Sequence, residues 1–317
     1  MPRVHIVIPT HTTRHLRACV GAIPHQSDPP ETVVVTSDAD DPEIERELRA
    51  VRSSVWALAE ARGQRIPKLL YTARPHQGTP LLNQVRNNGL RVLAARGART
   101  GDLVIVLDGD TVLDPDAVKR HRTMSENGAE LIVPYRVNLS QPATEALDLD
   151  DLLDPARGPE IIRALATAED KELLRRRQRR YERQLLLKRL APPWTGLVKR
   201  HKPKIIGGHH AVTFGRLRAV NGYDEAYEEY GCNDDDLGLR LHMLTPRIRT
   251  RIAVDPIRAF HLWHPTRALR PPTESPGYAR FTRPGIPARA ELGLDSPREQ
   301  PAPRTVELTP VRASAAV

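Results

Sequence analysis

Short apolar runs recur through the first 140 residues and alternate with amphipathic segments that carry helix-start signals. The runs lie at residues 4–9, 32–37, 66–71, 103–107 and 130–135. One helix start is Asp41-Pro42-Glu43, which puts proline at an early helical position and acids in the first turn. The alternation predicts an α/β fold, with a doubly wound, mostly parallel sheet flanked by helices.

The rest of the chain lacks this regular alternation. Residues 140–159 are acidic and irregular, and residues 160–190 carry a long, arginine-rich helical pattern with an imperfect apolar stripe. Residues 268–317 are rich in proline, arginine, alanine and glutamate and hold few large apolar side chains. The sequence therefore predicts a basic helical insertion at 136–204 and a mobile C-terminal tail from residue 268 onward.

The strand predicted at residues 103–107 ends in the acidic sequence Asp108-Gly109-Asp110. Its five apolar residues predict burial on both faces, as in the middle of a parallel sheet. Glycine allows a tight turn, so both carboxylates can converge at the carboxyl end of the strand, where open α/β sheets bind ligands. Two such acids suit Mg²⁺ or Mn²⁺ together with phosphate oxygens, and the alternative is an ordinary polar turn.

Three later clusters also carry chemically active side chains. Two glycines, Gly207 and Gly208, precede an apolar strand and allow close approach of a ligand. Three consecutive acids begin at Asp234, at the start of a predicted helix. Acids in a first turn stabilise a helix by roughly 0.3–1 kcal/mol each, which is the structural alternative to a catalytic role. His261 and His264 are three residues apart, so both can face one metal ion.

The 317-residue chain has a net charge of +9, from 48 lysine and arginine residues against 39 aspartate and glutamate residues. Much of the excess lies at residues 175–180 and 199–204. A basic balance is compatible with nucleic acid, an anionic membrane surface or a nucleoside diphosphate. No nucleic-acid partner is expected, because no recognition motif or aromatic stacking platform accompanies the arginine run.

The two cysteines, Cys19 and Cys232, do not make a disulfide framework or a zinc site, which favours a reducing cytoplasm. No stretch approaches the ~20 apolar residues of a membrane-spanning helix. We therefore expect a soluble cytoplasmic protein that is at most peripheral to the inner face of the membrane. The helical segment at 160–190 has four interpretations: a solvated helix, an acceptor subdomain, an oligomer contact, or a surface helix attracted to anionic lipid.

In combination these motifs resemble family 2 glycosyltransferases, which have the GT-A nucleotide-sugar fold. Members begin with a strand ending in Pro-Thr or Pro-Ser, here Pro9-Thr10, and carry Asp-x-Asp after a central strand. Residues 83–89 resemble the family's Ala-Arg-Asn-x-Gly segment. Residues 220–225 and 230–241 resemble the Gly-Gly-Phe-Asp-Glu and Gly-x-Glu-Asp-x-Asp-Leu elements of inverting members. The resemblance covers residues 3–266.

The resemblance implies a role for each motif residue. It places Asp110 and a late histidine, His261 or His264, on the metal. It gives the role of catalytic base to Asp234, with Asp235 as a possible substitute. An acid after the second strand reads the base or ribose, and an arginine approaches the donor phosphates. The donor-binding residues expected in this way are Pro9, Thr10, Asp38, Arg86, Asp108 and Gly208.

The function implied is inverting, Mn²⁺- or Mg²⁺-dependent transfer from a nucleoside diphosphate sugar, most often UDP-linked, to an unidentified acceptor hydroxyl. One domain would cover residues 1–267, with the nucleotide-sugar half at 1–135 and the acceptor half at 205–267. Besides Val85, which stands in the family's alanine position before Arg86, two departures from the family pattern are present. Residues 36–41 do not match the usual Asp-Asp-Gly-Ser, which leaves the nucleotide open, and Asn233 stands in the usual glutamate position.

Two other functions remain as alternatives at this point. A sugar-phosphate nucleotidyltransferase would need a glycine-rich phosphate loop after the first strand, where this chain has no glycine between Pro9 and Arg14. A non-catalytic protein that binds nucleic acid or a membrane through its basic helix would need no metal. Its binding would weaken uniformly with salt.

Overall fold

The computed structural model describes residues 1–39, 41–190, 195–228, 231–265 and 272–310. The strands are β1 (Val4–Pro9), β2 (Thr32–Ser37), β3 (Lys68–Ala73), β4 (Leu103–Leu107), β5 (Thr111–Leu113), β6 (Leu131–Val133), β7 (Val137–Asn138), β8 (His209–Thr213), β9 (Thr250–Ile252), β10 (Ala259–His261) and β11 (Arg304–Glu307). The helices are α1 (Leu16–Gly21), α2 (Pro42–Ser53), α3 (Val55–Ala61), α4 (Leu82–Ala95), α5 (Ala117–Glu126), α6 (Gln141–Glu145), α7 (Leu149–Leu153), α8 (Gly158–Ala164), α9 (Ala168–Leu190), α10 (Phe214–Ala219), α11 (Asn233–Met243) and α12 (Pro276–Thr282). Short 3₁₀ turns lie at Ile23–His25 and Pro272–Glu274.

An eight-stranded sheet forms the core, in the order β11-β3-β2-β1-β4-β8-β6-β9. Strands β3, β2, β1 and β4 are parallel, whereas β8 runs antiparallel to both of its neighbours. Every residue of β1, β2 and β4 is buried. Burial on both faces explains why these strands are apolar runs without the alternation of a half-exposed strand. The mixed fold with its mostly parallel sheet confirms the predicted fold class.

Helix α4 packs closely on the parallel strands. It contacts β1 and β2, and a Cβ added at its Gly89 would lie 2.5 Å from Val7 Cγ1. Glycine at this position therefore permits the close approach of helix and strand. The contact fixes the helix that carries Arg86.

A three-stranded sheet, in the order β5-β10-β7, contains the segment that follows the Asp-Gly-Asp turn. Strand β10 pairs antiparallel with β5, and His261 lies opposite Thr111. Because Thr111 directly follows Asp110, this register brings a late histidine to the acidic turn.

The two predicted halves of the domain share one sheet. Strand β8, from the predicted acceptor half, lies between β4 and β6 of the predicted nucleotide-sugar half. The boundaries after residues 135, 204 and 267 stay predictions.

The helix that starts at Asp41-Pro42-Glu43, which the sequence predicts to run as one helix to about residue 62, is two helices, α2 and α3. They are separated at Ser54, whose hydroxyl donates back to the Ala50 carbonyl. Serine hydroxyls compete in this way with the helical backbone and favour a break.

The insertion is more helical and more divided than the sequence predicts. The helix predicted at 160–190 is two helices, α8 and α9, because Thr167 and Asp170 form a reciprocal cap. Thr167 Oγ1 accepts from the Asp170 amide, and Asp170 Oδ2 accepts from the Thr167 amide. Residues 140–159, predicted to be irregular, include α6 and α7, which Ser140 and Asp148 cap. Among the described residues, no helix is long and apolar enough to cross a membrane.

The prediction of a mobile C-terminal tail is wrong for residues 272–310. Strand β11 extends the main sheet by pairing with β3, and Leu308 is buried beside it. Asn221 anchors the preceding loop, since its Nδ2 donates to the Ala290 carbonyl and its Oδ1 accepts from the Asp295 amide. Backbone pairing and these polar contacts order the segment despite its few large apolar groups. Residues 266–271 and 311–317 lie outside the described residues, as does Tyr230 of the quoted 230–241 element.

Candidate functional site

The parallel strands β1, β2 and β4 end at one edge of the sheet, where Pro9, Asp38 and Asp108 lie. Thr10 packs against the acidic turn, because a Cβ added at Gly109 would be 3.1 Å from Thr10 Cβ. Pro9, Thr10 and the Asp-Gly-Asp turn therefore form one surface, as the sequence predicts for a ligand site at this edge.

Asp38 occupies a separate position along the same edge. It is buried, and its Oδ2 lies 3.4 Å from both Arg74 Nη2 and the Leu81 amide nitrogen. His76 Nδ1 is 4.0 Å from the same oxygen. Its role in reading the nucleotide stays a prediction.

Asp110, His261 and His264 form a compact group of possible metal ligands. The Nε2 atoms of His261 and His264 lie 3.4 Å and 3.1 Å from Asp110 Oδ2. The Leu262 amide donates to the Asp110 carbonyl at 2.9 Å and fixes the two segments side by side. The sequence left open which histidine approaches the acid, and the structure brings both.

The charge of this group follows from its surroundings. Burial acts to raise the pKa of Asp110, but the hydrogen bond and charge of His261, followed by the charges of Arg136 and His264, lower it to about 2. Asp110 is therefore an anion at neutral pH. One ligand atom from each residue of the group lies within 4.8 Å of the others. A carboxylate oxygen and two imidazole nitrogens suit a divalent ion such as Mn²⁺, and such a site leaves positions for phosphate oxygens.

Two acid–arginine pairs lie beside this group. Arg136 Nη1 donates to Asp108 Oδ2 at 3.0 Å, and Arg86 Nη1 donates to Asp234 Oδ1 at 2.9 Å. Both pairs lie directly against the two glycines that precede β8.

Neither glycine leaves room for a side chain. A Cβ at Gly207 would be 2.3 Å from Asp234 Oδ2, and a Cβ at Gly208 would be 2.5 Å from Asp108 Oδ2. Since adjacent glycines touch the two carboxylates, Asp108 and Asp234 face the same part of the site. Close approach is the physical reason for glycine at both positions.

The charges around Asp108 oppose one another. Burial has the largest influence and raises the pKa of Asp108. The charges of Arg86 and Arg136 lower this pKa, and the charges of Asp110 and Asp234 raise it. Three carboxylates therefore share a small region with two guanidinium groups. Arg86 is buried, and its guanidinium carbon lies 5.1 Å from the centre of the Tyr223 ring.

The three acids at the start of α11 have different surroundings. Asp234 faces Arg86, whereas Asp235 Oδ2 lies 3.0 Å from Lys204 Nζ. Asp236 is buried and accepts from Arg240 Nε at 2.8 Å. The structure therefore brings Asp234 to the glycine pair and directs Asp235 toward the basic segment. Asp236 has a structural role within its own helix.

Sequence reasoning missed Arg136 and the polar group beneath Arg86. Arg136 follows β6, which is parallel to β4, and so it lies at the same edge as Asp108. Its place just after an apolar strand was the available signal. Tyr223 donates to or accepts from His210 Nε2 at 2.7 Å, a contact between distant residues that no local pattern indicates.

Asn233 and Asn87 serve the packing of the site. Asn233 Nδ2 donates to Asn83 Oδ1, and its own Oδ1 accepts from the Gly231 amide. Asn87 Nδ2 donates to the Tyr223 carbonyl. These bonds tie α4 to the loop before α11, which fixes Arg86 opposite Asp234.

Comparison with known proteins agrees with the α/β fold described above. Residues 197–261 match a family model described as the N-terminal domain of galactosyltransferase. The structure of GalNAc-T7 with UDP, GalNAc and Mn²⁺ aligns with a TM-score of 0.50 at 14% identity, over 88% of this chain and 47% of that chain. The chain has the GT-A fold.

Other solved structures with similar GT-A architecture align less well. Mannosyltransferase PcManGT from Pyrobaculum calidifontis gives a TM-score of 0.47 at 15% identity, over 84% of this chain and 58% of that chain. S. aureus TarS with UDP-GlcNAc gives 0.45 at 12% identity, over 83% and 60%. The chain thus spans about half to three fifths of the length of these proteins. The search of curated protein sequences finds no significant match.

Proposed function

We propose that this protein is a divalent-metal-dependent glycosyltransferase that moves a sugar from a nucleoside diphosphate sugar to an acceptor hydroxyl with inversion. The observation that carries the proposal is the group of Asp110, His261 and His264 at the end of the central strand, beside Asp108 and Asp234. The matched galactosyltransferase segment and the GT-A fold support it. The UDP and Mn²⁺ bound to GalNAc-T7 favour a UDP-sugar and Mn²⁺ or Mg²⁺ here.

In this proposal Asp110 and the two histidines hold the metal ion. When bound, the ion supplies positive charge that stabilises the leaving diphosphate. Pro9, Thr10, Asp108 and Gly208 line the donor side, with Asp38 as the residue that reads the base or ribose.

Asp234 is the proposed catalytic base. As the acceptor oxygen attacks the anomeric carbon, the bond from that carbon to the diphosphate oxygen breaks, and the hydroxyl proton passes to Asp234. Arg86 Nη1 donates to Oδ1 of this carboxylate, which orients the group. Oδ2 lies over Gly207 and is the oxygen assigned to receive the proton.

Arg86 contacts the proposed base and also lies where a donor phosphate contact was expected. It was expected from the sequence to approach the donor phosphates, whereas its Nη1 holds Asp234. Its buried Nε has no hydrogen-bond partner among the described residues. We therefore propose that Arg86 links donor binding to the position of the base.

The first test is calorimetric titration of the purified protein with UDP, GDP and dTDP, each with Mn²⁺ and with a chelator. We expect one nucleotide to bind in the presence of Mn²⁺ and to lose most of its affinity with the chelator. Absence of binding by all three to folded protein, checked by circular dichroism, would refute the proposal. Equal binding with metal and chelator would remove the metal from it.

The proposed base is tested with Asp234→Asn. This change keeps the shape and a hydrogen-bond acceptor for Arg86 but removes the ability to take a proton. We expect near-normal nucleotide affinity and a fall in transfer rate of about 10²–10⁴-fold. Asp235→Asn is the companion variant: its side chain faces Lys204, so we expect a much smaller loss of transfer, and a loss as large as that of Asp234→Asn would support Asp235 as the substitute base. Normal turnover by Asp234→Asn would exclude it as the base.

A further inference from the structure

Five of the seven arginines of α9 fall into two groups. Arg175, Arg176 and Arg179 lie 3.8, 3.7 and 3.6 Å from Glu172, and all are exposed. Arg180 and Arg183, in contrast, form no ion pair with any carboxylate of the described residues. One part of the helix therefore has its charge partly balanced, and the other does not.

The unpaired arginines line a cavity of about 450 Å³ between α9 and residues 197–202, which we call the basic groove. Lys199 and Lys202 line it as well, and they too form no ion pair within the described parts of the chain. No carboxylate lines the cavity. Its walls combine four cations with aliphatic side chains, including Leu187 and Leu197.

Crowding of positive charge is evident at Lys202. Its pKa is lowered first by burial, and then by the charges of Lys204, Lys199 and Arg180, against the opposing attraction of Asp235. Like charges held together in a partly enclosed space repel one another, and an anion placed among them relieves that repulsion. Arginine and lysine are also the side chains best suited to bind phosphate oxygens.

The groove adjoins the proposed base through a short chain of contacts. Lys204 and His201, on either side of the Lys202-Pro203 peptide, lie 3.0 Å and 3.9 Å from the carboxylate of Asp235. Asp235 follows Asp234 directly at the start of α11. The basic groove is therefore connected, through Lys202 and the residues on either side of it, to the acid that adjoins the proposed base.

We propose that the basic groove binds a phosphate-type anionic group of the acceptor, with an aliphatic part against Leu187 and Leu197. The identification of the bound molecule as the acceptor rests on the proposed function, whereas the binding of an anion in the groove does not. Leu197 is 66% exposed and lines the groove together with Leu187, so an aliphatic group bound there would remove apolar surface from water. Either a phospholipid-type molecule or a soluble phosphate ester supplies this chemistry, and the probes below distinguish them.

The test measures binding of dodecyl phosphate, inorganic phosphate and uncharged dodecyl maltoside to the full chain. A chelator is present so that no metal ion at Asp110 and the two histidines binds the phosphates. Detergents are kept below their micelle concentrations. We expect dodecyl phosphate to bind and Arg180→Gln/Arg183→Gln to weaken it by about tenfold, since each arginine supplies a charged hydrogen bond. Arg175→Gln/Arg176→Gln removes the same charge from the same helix and should change the affinity little.

Each outcome decides something. A preference for dodecyl phosphate supports both the anion site and the aliphatic contact, whereas comparable affinity for the two phosphates would keep the anion site for a soluble phosphate and overturn the aliphatic contact at Leu187 and Leu197. Equal weakening by the two double variants would overturn the proposal, because the effect would then follow overall charge. Equal binding of dodecyl maltoside, or no binding of either phosphate, would also overturn it.

A separate measurement distinguishes this proposal from the proposed function. Metal-dependent nucleotide binding should be unchanged in Arg180→Gln/Arg183→Gln. If nucleotide binding fails in the unmodified protein while phosphate binding depends on the groove, the transferase assignment falls and the anion site stands. Circular dichroism confirms folding of each variant, and Lys199→Gln provides an independent change in the same groove.

Discussion

Two histidine pairs in this protein have almost the same geometry but different surroundings. The rings of His261 and His264 are 5.2 Å apart and inclined by 69°, and those of His121 and His209 are 5.3 Å apart and inclined by 71°. The first pair lies against Asp110. The second is buried, with the two Nε2 atoms 3.1 Å apart, and it forms no ion pair with an acid of the described residues.

The difference explains why we propose His261 and His264, and not His121 and His209, as metal ligands. Burial lowers the pKa of His121 to about 3 and that of His209 well below its usual range, so both rings are neutral and one donates to the other. A divalent cation placed there would be desolvated without a compensating negative charge, which is very unfavourable. Asp110 supplies that charge to the other pair. The acid and the access to solvent, and not the ring geometry, distinguish the two.

The largest effect is expected from Asp110→Ala. Removal of the only carboxylate in the group should lower the metal-dependent nucleotide affinity by about 100-fold or more, because a direct ligand matters at least as much as the outer groups that support it. Calorimetry with Mn²⁺ measures this. His121→Gln is the control and should keep normal metal dependence. Unchanged affinity in Asp110→Ala would remove this acid from the site.

A smaller effect is expected from His261→Ala and His264→Ala taken singly. Each leaves one imidazole and the carboxylate, so we expect a loss of Mn²⁺ affinity of about tenfold for each. The similar distances from the two rings to Asp110 predict similar losses. Titration of Mn²⁺ in the presence of the bound nucleotide gives both values. If one variant behaves like the unmodified protein, the site has a single histidine ligand.

The sequence predicted the parts of this arrangement that are local. The apolar run of β4 and the Asp-Gly-Asp turn after it are consecutive in the chain, and both are present. The choice between His261 and His264 could not be made, because it depends on the pairing of β10 with β5. That register is set by contacts between distant segments.

The remaining errors have the same physical origin. Arg136 follows β6 and donates to Asp108, which follows a different strand, β4. Strand β11 has mostly exposed side chains and is held by backbone pairing to β3, so its composition predicts disorder. The division of the α9 arginines depends on which face meets residues 197–202. Composition and periodicity do not report such contacts.

The smallest effect is expected in the stability of the protein at acid pH. The pKa of His121 is about 3 in the folded protein and about 6.5 in an unfolded chain. Between these values the unfolded state binds a proton that the folded state does not, so this histidine lowers the free energy of unfolding as the pH falls.

His121→Gln should therefore flatten the pH dependence of stability by up to about 1.4 kcal/mol per pH unit in the acid range. Urea unfolding at a series of pH values measures this slope. A loss of stability that is the same at every pH does not change the slope. His11→Gln, which removes an exposed histidine, is the control. An unchanged slope in His121→Gln would show that the buried pair takes up a proton without unfolding. Asp110 alone would then distinguish the pair of His261 and His264 from the buried pair.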